Sequence, residues 1–221
     1  MKKNLFYLLA LLFFSCTPNP KLTEADNCNY GVFTKSLNNP QVEQNGERLV
    51  IKTTAKTDYF NDPNGKLTNG NAPIIMRELD MTKPFTFTVK VKPNLIETYD
   101  AGVLYLFCNE YLWQKLCIEK DERKLNRVVS VRTENTSDDN NHDVITQESL
   151  YFKISSNSQA IGFYYSLDNV NWQLVKVHEN KYPNKIYLGL SSQSPIGKGM
   201  TTEFSEFKFE QKSIKNFRLG L

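Results

Sequence analysis

The chain has 221 residues, of which 40% are hydrophobic and 12% aromatic, and this composition is typical of one globular domain with a substantial core. Its formal net charge is +3, and two of the cations, Lys2 and Lys3, belong to a predicted export signal. The remaining chain is nearly neutral, so charge offers no argument for a nucleic-acid partner.

The N-terminus resembles a bacterial lipoprotein signal. Lys2 and Lys3 precede an apolar run, residues 5–14, that is too short to span a bilayer comfortably. Ser15 and Cys16 follow, with Phe13 at the usual leucine position. We therefore expect a signal peptide at residues 1–15, with Cys16 as the lipidated residue. The alternative is an ordinary secretory signal in which Cys16 has no role.

The segment after Cys16 is polar and contains proline, which favours a tether over residues 16–29. A lipid on Cys16 would hold the domain at the cell envelope, in the periplasm or on the outer surface, without crossing the membrane. We expect a single domain at residues 30–221.

Short alternating segments succeed one another through this domain, and no long helical period interrupts them. Strands are predicted at residues 48–54, 72–78, 85–92, 101–119 (a hairpin turning near residues 109–110), 127–132, 151–155, 160–166, 173–178, 186–191 and 201–210. Polar, turn-rich loops are predicted at residues 57–71 and 133–144. Many short strands separated by turn residues predict an all-β sandwich.

The central hairpin, residues 101–119, has two different faces because side chains alternate along a strand. One face is aliphatic and is predicted to join the core. The other face carries Tyr105, Trp113, Lys115, Cys117 and Glu119. An aromatic plane stacks on a sugar ring, while Lys and Glu hydrogen-bond hydroxyls, so this pattern favours a ligand-binding surface. A solvated sheet face with a cross-strand Lys–Glu ion pair is the alternative.

Three further residues are candidates for ligand contact. Asp58 begins a turn-rich loop of the kind that often rims a cleft, although it could equally form an Asx turn. Arg132 and Asp138 stand at the end of a strand and in the loop that follows. A structural ion pair between Arg132 and Asp138 explains them at least as well.

The cysteines, histidines and acids restrict the chemistry. Three cysteines follow Cys16, namely Cys28, Cys108 and Cys117, and an odd number argues against a full set of disulfides. Cys108 and Cys117 point to opposite faces of the hairpin, so free thiols are expected. His142 and His178 are far apart in the sequence, and we predict neither a metal site nor a cofactor. Trp172 closes a turn and is predicted to pack into the core.

A glycoside hydrolase needs two carboxyl groups across the scissile bond. Glu119 has no second acid two residues away within its predicted strand, since Asp121 follows only at the strand end, and Asp58 or Asp138 would have to join it in space. Glu119 is thus the one catalytic candidate, and no Ser-His-Asp pattern is present. A non-catalytic role is favoured.

Several segments stand in a recognisable order between about residues 45 and 210. They are residues 57–60, 72–73, 101–104, 113–119 (Trp-x-Lys-x-x-x-Glu), 128–133 with 137–138, 164–172, 187–190, 194–199 and 204–207. They resemble the concanavalin A-like jelly-roll domain found at the C-terminus of some beta-xylosidases and in regulation-of-enolase-like proteins, a domain family of unknown function. The resemblance implies two curved antiparallel sheets, with Trp113, Lys115 and Glu119 in the concave one. That family usually has a tryptophan where this chain has Asp139.

Together these patterns predict an envelope-anchored lipoprotein with a non-catalytic, carbohydrate-binding sandwich. Trp113 would stack on an oligosaccharide or polysaccharide, and polar side chains would hydrogen-bond it. Those side chains are Lys115, Glu119, Asp58 and Arg132. The alternatives are a glycan-active hydrolase using Glu119, and a structural or protein-interaction module without a small ligand.

Overall fold

The computed structural model describes residues 27–221, and every regular element in that range is a strand. The predicted signal peptide, Cys16 and most of the tether lie outside the described residues. Residues 27–29, which the sequence assigned to the tether, belong to the first strand. No helix among the described residues is long and apolar enough to cross a membrane.

The strands follow one another closely along the chain. They are β1 (Asn27–Tyr30), β2 (Phe33–Leu37), β3 (Gln41–Asn45), β4 (Arg48–Thr54), β5 (Tyr59–Asn61), β6 (Thr68–Gly70), β7 (Ile74–Asp80), β8 (Phe85–Pro93), β9 (Ala101–Asn109), β10 (Leu112–Lys120), β11 (Asn126–Glu134), β12 (Thr136–Val144), β13 (Leu150–Ser156), β14 (Ala160–Ser166), β15 (Gln173–Glu179), β16 (Lys185–Gln193) and β17 (Gly199–Glu210).

Two large antiparallel sheets form a sandwich, which confirms the predicted fold class. The first sheet has eight strands in the order β1-β2-β7-β16-β9-β10-β11-β12, and the second has seven in the order β15-β14-β13-β8-β17-β4-β3. Strands β5 and β6 form a separate two-stranded hairpin. The central hairpin is β9–β10, and it lies inside the first sheet rather than at an edge.

The main core lies between the two sheets. The first sheet contributes alternate residues such as Leu104, Leu116 and Ile118, and the second contributes residues such as Phe87 and Val89. Full burial of one such side chain stabilises a fold by about 1.5–3 kcal/mol. The aliphatic face predicted for β9–β10 is therefore confirmed as core.

The prediction of a polar loop at residues 133–144 is wrong, because most of these residues form strand β12. This strand lies at the edge of the first sheet and, among the strands of residues 27–221, pairs only with β11. An edge strand needs only the backbone hydrogen bonds of one neighbour, and polar side chains there discourage further pairing. Its polar sequence therefore shows no hydrophobic alternation from which the strand could have been predicted. The predicted loop at residues 57–71 similarly contains the β5–β6 hairpin.

The three described cysteines are free. Cys108 packs against the core between the sheets, whereas Cys117 belongs to a cluster on the opposite face of the first sheet. The alternation of side chains along β9 and β10 predicts this separation.

Candidate functional site

The face of the first sheet that points away from the second sheet is called the Lys115 face here. It carries Tyr105, Trp113, Lys115, Cys117 and Glu119. The sequence predicts an open binding surface, and for most of this face that prediction is wrong. A second cluster of buried side chains lies on it, and Tyr59 of the β5–β6 hairpin is part of that cluster. The hairpin therefore covers much of the sheet.

Trp113 is a core residue of this second cluster, with 0% of its surface exposed. The Tyr59 ring packs edge-on against it, with 6.1 Å between ring centroids, and Trp113 Nε1 donates to the Glu110 carbonyl oxygen at 3.3 Å. The predicted stacking on sugar requires an open ring face, which the covering hairpin removes. Tyr105 is buried equally, and its hydroxyl accepts a hydrogen bond from Gln193 Nε2.

Asn61 holds the covering hairpin in place. Its backbone N–H donates to Ser137 Oγ at 2.9 Å, and its side-chain amide donates to the carbonyl oxygens of Glu110 and Asn135 at 3.2 and 3.0 Å. One residue of β5 is thereby bonded to the turn between β9 and β10, to the turn between β11 and β12, and to β12 itself. Because these groups are buried, losing their partners would be costly.

Lys115 lies at the centre of the Lys115 face and is only 3% exposed. Its ammonium donates to Asp58 Oδ1 at 3.3 Å, to the Tyr59 carbonyl oxygen at 2.9 Å and to Gln193 Oε1 at 3.1 Å. A lysine has three hydrogens to donate, so all are used within the protein. Lys115 therefore holds the hairpin and has no hydrogen left for a ligand.

The charge of Lys115 is retained despite its burial. Burial alone would lower the pKa of its ammonium, but the attraction of Asp58 outweighs it and the pKa is raised. Asp58 itself is 8% exposed and also accepts from Asn69 Nδ2 at 3.3 Å. The ion-pair partner of Lys115 is thus the buried Asp58, and the predicted alternative, a solvated face with a cross-strand Lys–Glu pair, is wrong for Lys115.

Glu119 differs from these buried groups. It is half-buried near the end of β10, and no described residue donates a hydrogen bond to its carboxyl. Burial raises the pKa of Glu119 to about 8, with repulsion from Asp139 and Asp58 adding to burial and Lys115 opposing it. At neutral pH this carboxyl is therefore mostly protonated, so it can both donate and accept hydrogen bonds.

The acid that shares this face is Asp139, whereas the sequence selected Asp138. In the β11–β12 register Asp139 lies opposite Val131, a member of the second cluster, while Asp138 lies opposite Arg132. Residues opposite each other share a face, so Asp139 faces the same side as Glu119. Recognising β12 as a strand would have revealed this from alternation alone.

Arg132 lies on the other side of the first sheet. Its guanidinium pairs with Glu134, and it lines a crevice with His178 and Tyr182. The predicted contact between Arg132 and a ligand of the Lys115 face is therefore wrong, and so is the predicted Arg132–Asp138 ion pair.

Tyr99 is a residue of this site that sequence reasoning missed. It is 41% exposed, and its backbone N–H donates to the carbonyl oxygen of Lys120, the neighbour of Glu119, at 2.7 Å. Burial, followed by the charges of Glu122, Glu119 and Asp139, raises the pKa of its hydroxyl. Tyr99 belongs to no strand, so alternation gave no signal for it. We call Tyr99, Glu119 and Asp139 the Glu119 corner.

The loop that carries Tyr99 is fixed by Asp100, which is fully buried. Asp100 Oδ1 accepts from Ser194 Oγ at 2.6 Å, and its Oδ2 accepts from the backbone N–H groups of Ile96 and Glu97 at 3.0 and 2.8 Å. This bonding ties the loop to the residues that follow β16. The Glu119 corner is therefore built on one braced loop, the inner strand β10 and the edge strand β12.

Chemically, the Glu119 corner presents two carboxyl groups and one exposed aromatic ring. No group of three or more His, Cys, Asp or Glu side chains in residues 27–221 is arranged to hold a metal ion. An aromatic ring beside carboxyl groups is suited to a ligand that has both apolar ring faces and hydroxyls.

Three solved structures with the same fold are described here. A functionally unknown protein from Saccharomyces cerevisiae superposes with a TM-score of 0.74 at 21% identity, covering 82% of this chain and 97% of that one. A xylan beta-1,4-xylosidase from Bacillus halodurans C-125 gives 0.57 at 10%, covering 88% of this chain and 40% of that one. The CBM2 module of Lactobacillus casei BL23 phage J-1 evolved Dit gives 0.52 at 10%, covering 81% and 83%.

At these identities the similarities show the fold alone, and this chain spans less than half the length of the xylosidase. No curated protein matches the sequence. A family model does match residues 37–212, which is most of the chain. The chain therefore belongs to the family described as "Protein of unknown function (DUF1349)".

Proposed function

We propose that this protein is a carbohydrate-binding module whose ligand contacts the Glu119 corner. The observation that carries the proposal is the state of Glu119. Its carboxyl is half-buried, has a pKa raised to about 8, and receives no hydrogen bond from a described residue. A sugar hydroxyl can both donate to and accept from a protonated carboxyl, and so supplies the missing partners.

The neighbours of Glu119 favour the same ligand class. Tyr99 offers an exposed ring for the apolar face of a sugar, and Asp139 offers a second acceptor for hydroxyls. Two proteins of the same fold are named as a xylan beta-1,4-xylosidase and a CBM2 module. These names favour a saccharide over other polar ligands. Lys115 and Asp58 would then position the corner rather than contact the sugar.

The proposal includes attachment to the bacterial envelope through a lipid on Cys16. The basic start, short apolar run and Ser15-Cys16 pair support it. Labelling of the protein in cells with an alkyne fatty acid tests this part. Wild type should take up the label and fractionate with membranes, whereas Cys16→Ser should lose both properties. A labelled Cys16→Ser protein would refute lipidation at Cys16.

Calorimetric titration tests the binding function, with a panel of xylan-, cellulose- and arabinan-derived hexasaccharides as probes. At least one should bind, and Tyr99→Ala and Glu119→Ala should each weaken that binding by about tenfold or more, equivalent to about 1.4 kcal/mol. Glu119→Gln should retain most of the affinity, because its amide keeps a donor and an acceptor like the protonated carboxyl. Glu43→Ala is the matched control, because Glu43 is an exposed acid on β3 of the second sheet, away from the Glu119 corner. A panel without any binder would refute the proposal.

Glycoside hydrolysis is the second candidate, favoured by one observation. Glu119 is protonated at neutral pH, as a general acid must be, and Asp139 is a second carboxyl on its face. Glu119 would give its proton to the glycosidic oxygen, and Asp139 would take a proton from the attacking water. Release of reducing sugar should then disappear in both Glu119→Gln and Asp139→Asn. Activity that survives Glu119→Gln would eliminate this candidate.

A further inference from the structure

A second candidate site lies on the face of the second sheet that points away from the first. It is an open groove of about 540 Å³, bounded on one side by Trp172 and on the other by the C-terminal residues 212–221. Strands β8, β13 and β17 form its floor with Thr88, Lys153 and Lys208, which are adjacent in the sheet register. Sites for small ligands commonly measure about 300–1,000 Å³.

The C-terminal wall of the groove is bonded to the sheet along its length. Thr86 Oγ1 donates to the Lys212 carbonyl oxygen at 2.8 Å, and Ser155 Oγ accepts from the Ile214 backbone N–H at 3.0 Å. Tyr164 Oη donates to the Phe217 carbonyl oxygen at 2.7 Å. These bonds span three neighbouring strands, so the groove has a fixed shape.

Lys153 is the unusual group in the groove. It is 8% exposed, its Nζ donates to the Gly220 carbonyl oxygen at 2.9 Å, and it lies 3.6 Å from the centre of the Trp172 ring. No carboxylate of residues 27–221 forms an ion pair with it. Burial lowers the pKa of Lys153 to about 8, with Glu210 partly opposing this effect. A buried ammonium without a counter-ion is costly, and a bound anion would offset that cost.

The two acidic side chains that line the groove already have cationic partners. Glu210 pairs with Lys208 at 3.2 Å and with Lys212 at 3.0 Å, and Glu206 pairs with Lys90 at 3.0 Å. Lys153 therefore leaves the groove floor with an unpaired positive charge. Charge complementarity selects an anionic ligand over a neutral or cationic one.

Trp172 indicates what kind of anion the groove would accept. The sequence predicted it as a core residue, but the structure places it half-buried in the groove wall. The Lys153 ammonium lies over one face of the partly exposed indole, so a ligand that reaches the ammonium meets an apolar surface at the exposed part of the ring. A sugar ring that carries a carboxylate matches both features, since its C–H groups can contact the exposed part of the indole while its carboxylate pairs with the ammonium.

We propose that the groove between Trp172 and the C-terminal residues binds an acidic saccharide, with Lys153 as the partner of its carboxylate. This site is separate from the Glu119 corner, and the proposal does not depend on the function proposed for that corner. The ligand class is a uronic-acid sugar, and its recognition requires the charge and the ring together.

The test is calorimetric titration of the purified protein with trigalacturonic acid. Wild type should bind it, and Lys153→Met should weaken binding by about tenfold or more, whereas Lys153→Arg should retain most of the affinity. The trimethyl ester of the same trisaccharide, which lacks the charge, should bind at least about tenfold more weakly. Lys92→Met is a matched control on β8, because Lys92 pairs with Glu148 rather than facing the groove. Glu119→Gln should also leave this binding unchanged.

Because Lys153 also holds Gly220, its replacement needs a second, independent variant. Trp172→Ala should weaken trigalacturonate binding while Lys153 remains present, and thermal unfolding verifies that each variant is folded. The proposal is overturned if wild type does not bind trigalacturonate, or if the methyl ester or inorganic phosphate binds as tightly. Unchanged binding by folded Lys153→Met or folded Trp172→Ala would overturn it equally.

Discussion

Lys115 and Asp58 form a buried ion pair, 3.3 Å between Nζ and Oδ1, that joins the middle of β10 to the residue preceding β5. This pair connects the first sheet to the hairpin that covers it. Since Lys115 also donates to Tyr59 and Gln193, one ammonium joins β10 to two other parts of the chain. The covered Lys115 face and the accessible Glu119 corner both follow from this arrangement.

Removing the ammonium should destabilise the fold strongly. Lys115→Met leaves the buried Asp58 carboxylate without its counter-ion, and such a change typically costs about 3–5 kcal/mol in the free energy of unfolding. The double variant with Asp58→Asn should recover part of that loss. Urea unfolding measures both, with Lys185→Met as the control, since Lys185 forms an exposed pair with Glu78 and should cost less than about 1 kcal/mol. A Lys115→Met cost as small as the control's would contradict this role.

Stability should depend on pH through Glu119. Its pKa is raised from 4.5 to about 8 on folding, so between these values the native state binds more protons than the unfolded state. The free energy of unfolding should therefore fall as pH rises, by on the order of 1 kcal/mol per unit from this group. Glu119→Gln removes the contribution, so the variant should gain stability relative to wild type at pH 8 more than at pH 5. Equal differences at both pH values would refute the assignment.

Substitutions at Trp113 should affect the stability of the fold, whereas substitutions at Tyr99 should affect oligosaccharide binding. Trp113→Ala removes a fully buried side chain and should cost about 3–5 kcal/mol, whereas Trp113→Phe, a milder change, should remain folded with unchanged oligosaccharide affinity. Tyr99→Ala should leave thermal unfolding nearly unchanged and reduce the affinity. Calorimetry and thermal scans of both variants check this. The reverse pattern would show that Trp113 contacts the ligand.

The thiols should differ in reactivity. Burial raises the pKa of Cys117 well above its usual value, and the thiolate is the reactive form. Cys28 and Cys108 are only partly buried. Labelling of the native protein with iodoacetamide, followed by peptide mass spectrometry, should modify these two residues first and Cys117 only after denaturation. Equal labelling rates in the native state would be inconsistent with the buried position of Cys117.

The fold was predictable because alternation reports the core directly. Phe87 and Val89 bury one face of β8, and Leu104 and Leu116 do so on β9–β10. Strand β12 was missed because an exposed edge strand carries no hydrophobic pattern. The predicted disposition of the Cys108 and Cys117 side chains also followed from alternation alone.

The site was only partly predictable. Alternation placed Trp113, Lys115 and Glu119 on one face, but it could not show that a hairpin from a distant segment covers the first two. Tyr59 and Asp58 reach Lys115 across more than fifty residues, and no local pattern encodes such a contact. Asp139 was not selected because alternation assigns a side chain to a face only within a recognised strand, and β12 was predicted as a loop. Tyr99 lies in an irregular loop and had no pattern to reveal it.

The central claim is that an oligosaccharide binds at the Glu119 corner, and NMR chemical-shift mapping tests it most directly. The ¹⁵N-labelled protein is titrated with the hexasaccharide that binds most tightly in calorimetry. The backbone amides of Tyr99, Glu119 and Asp139 and their neighbours should shift most, and Glu119→Ala should reduce the shifts at a given ligand concentration. Shifts that cluster elsewhere on the protein, with these amides unperturbed, would contradict the account.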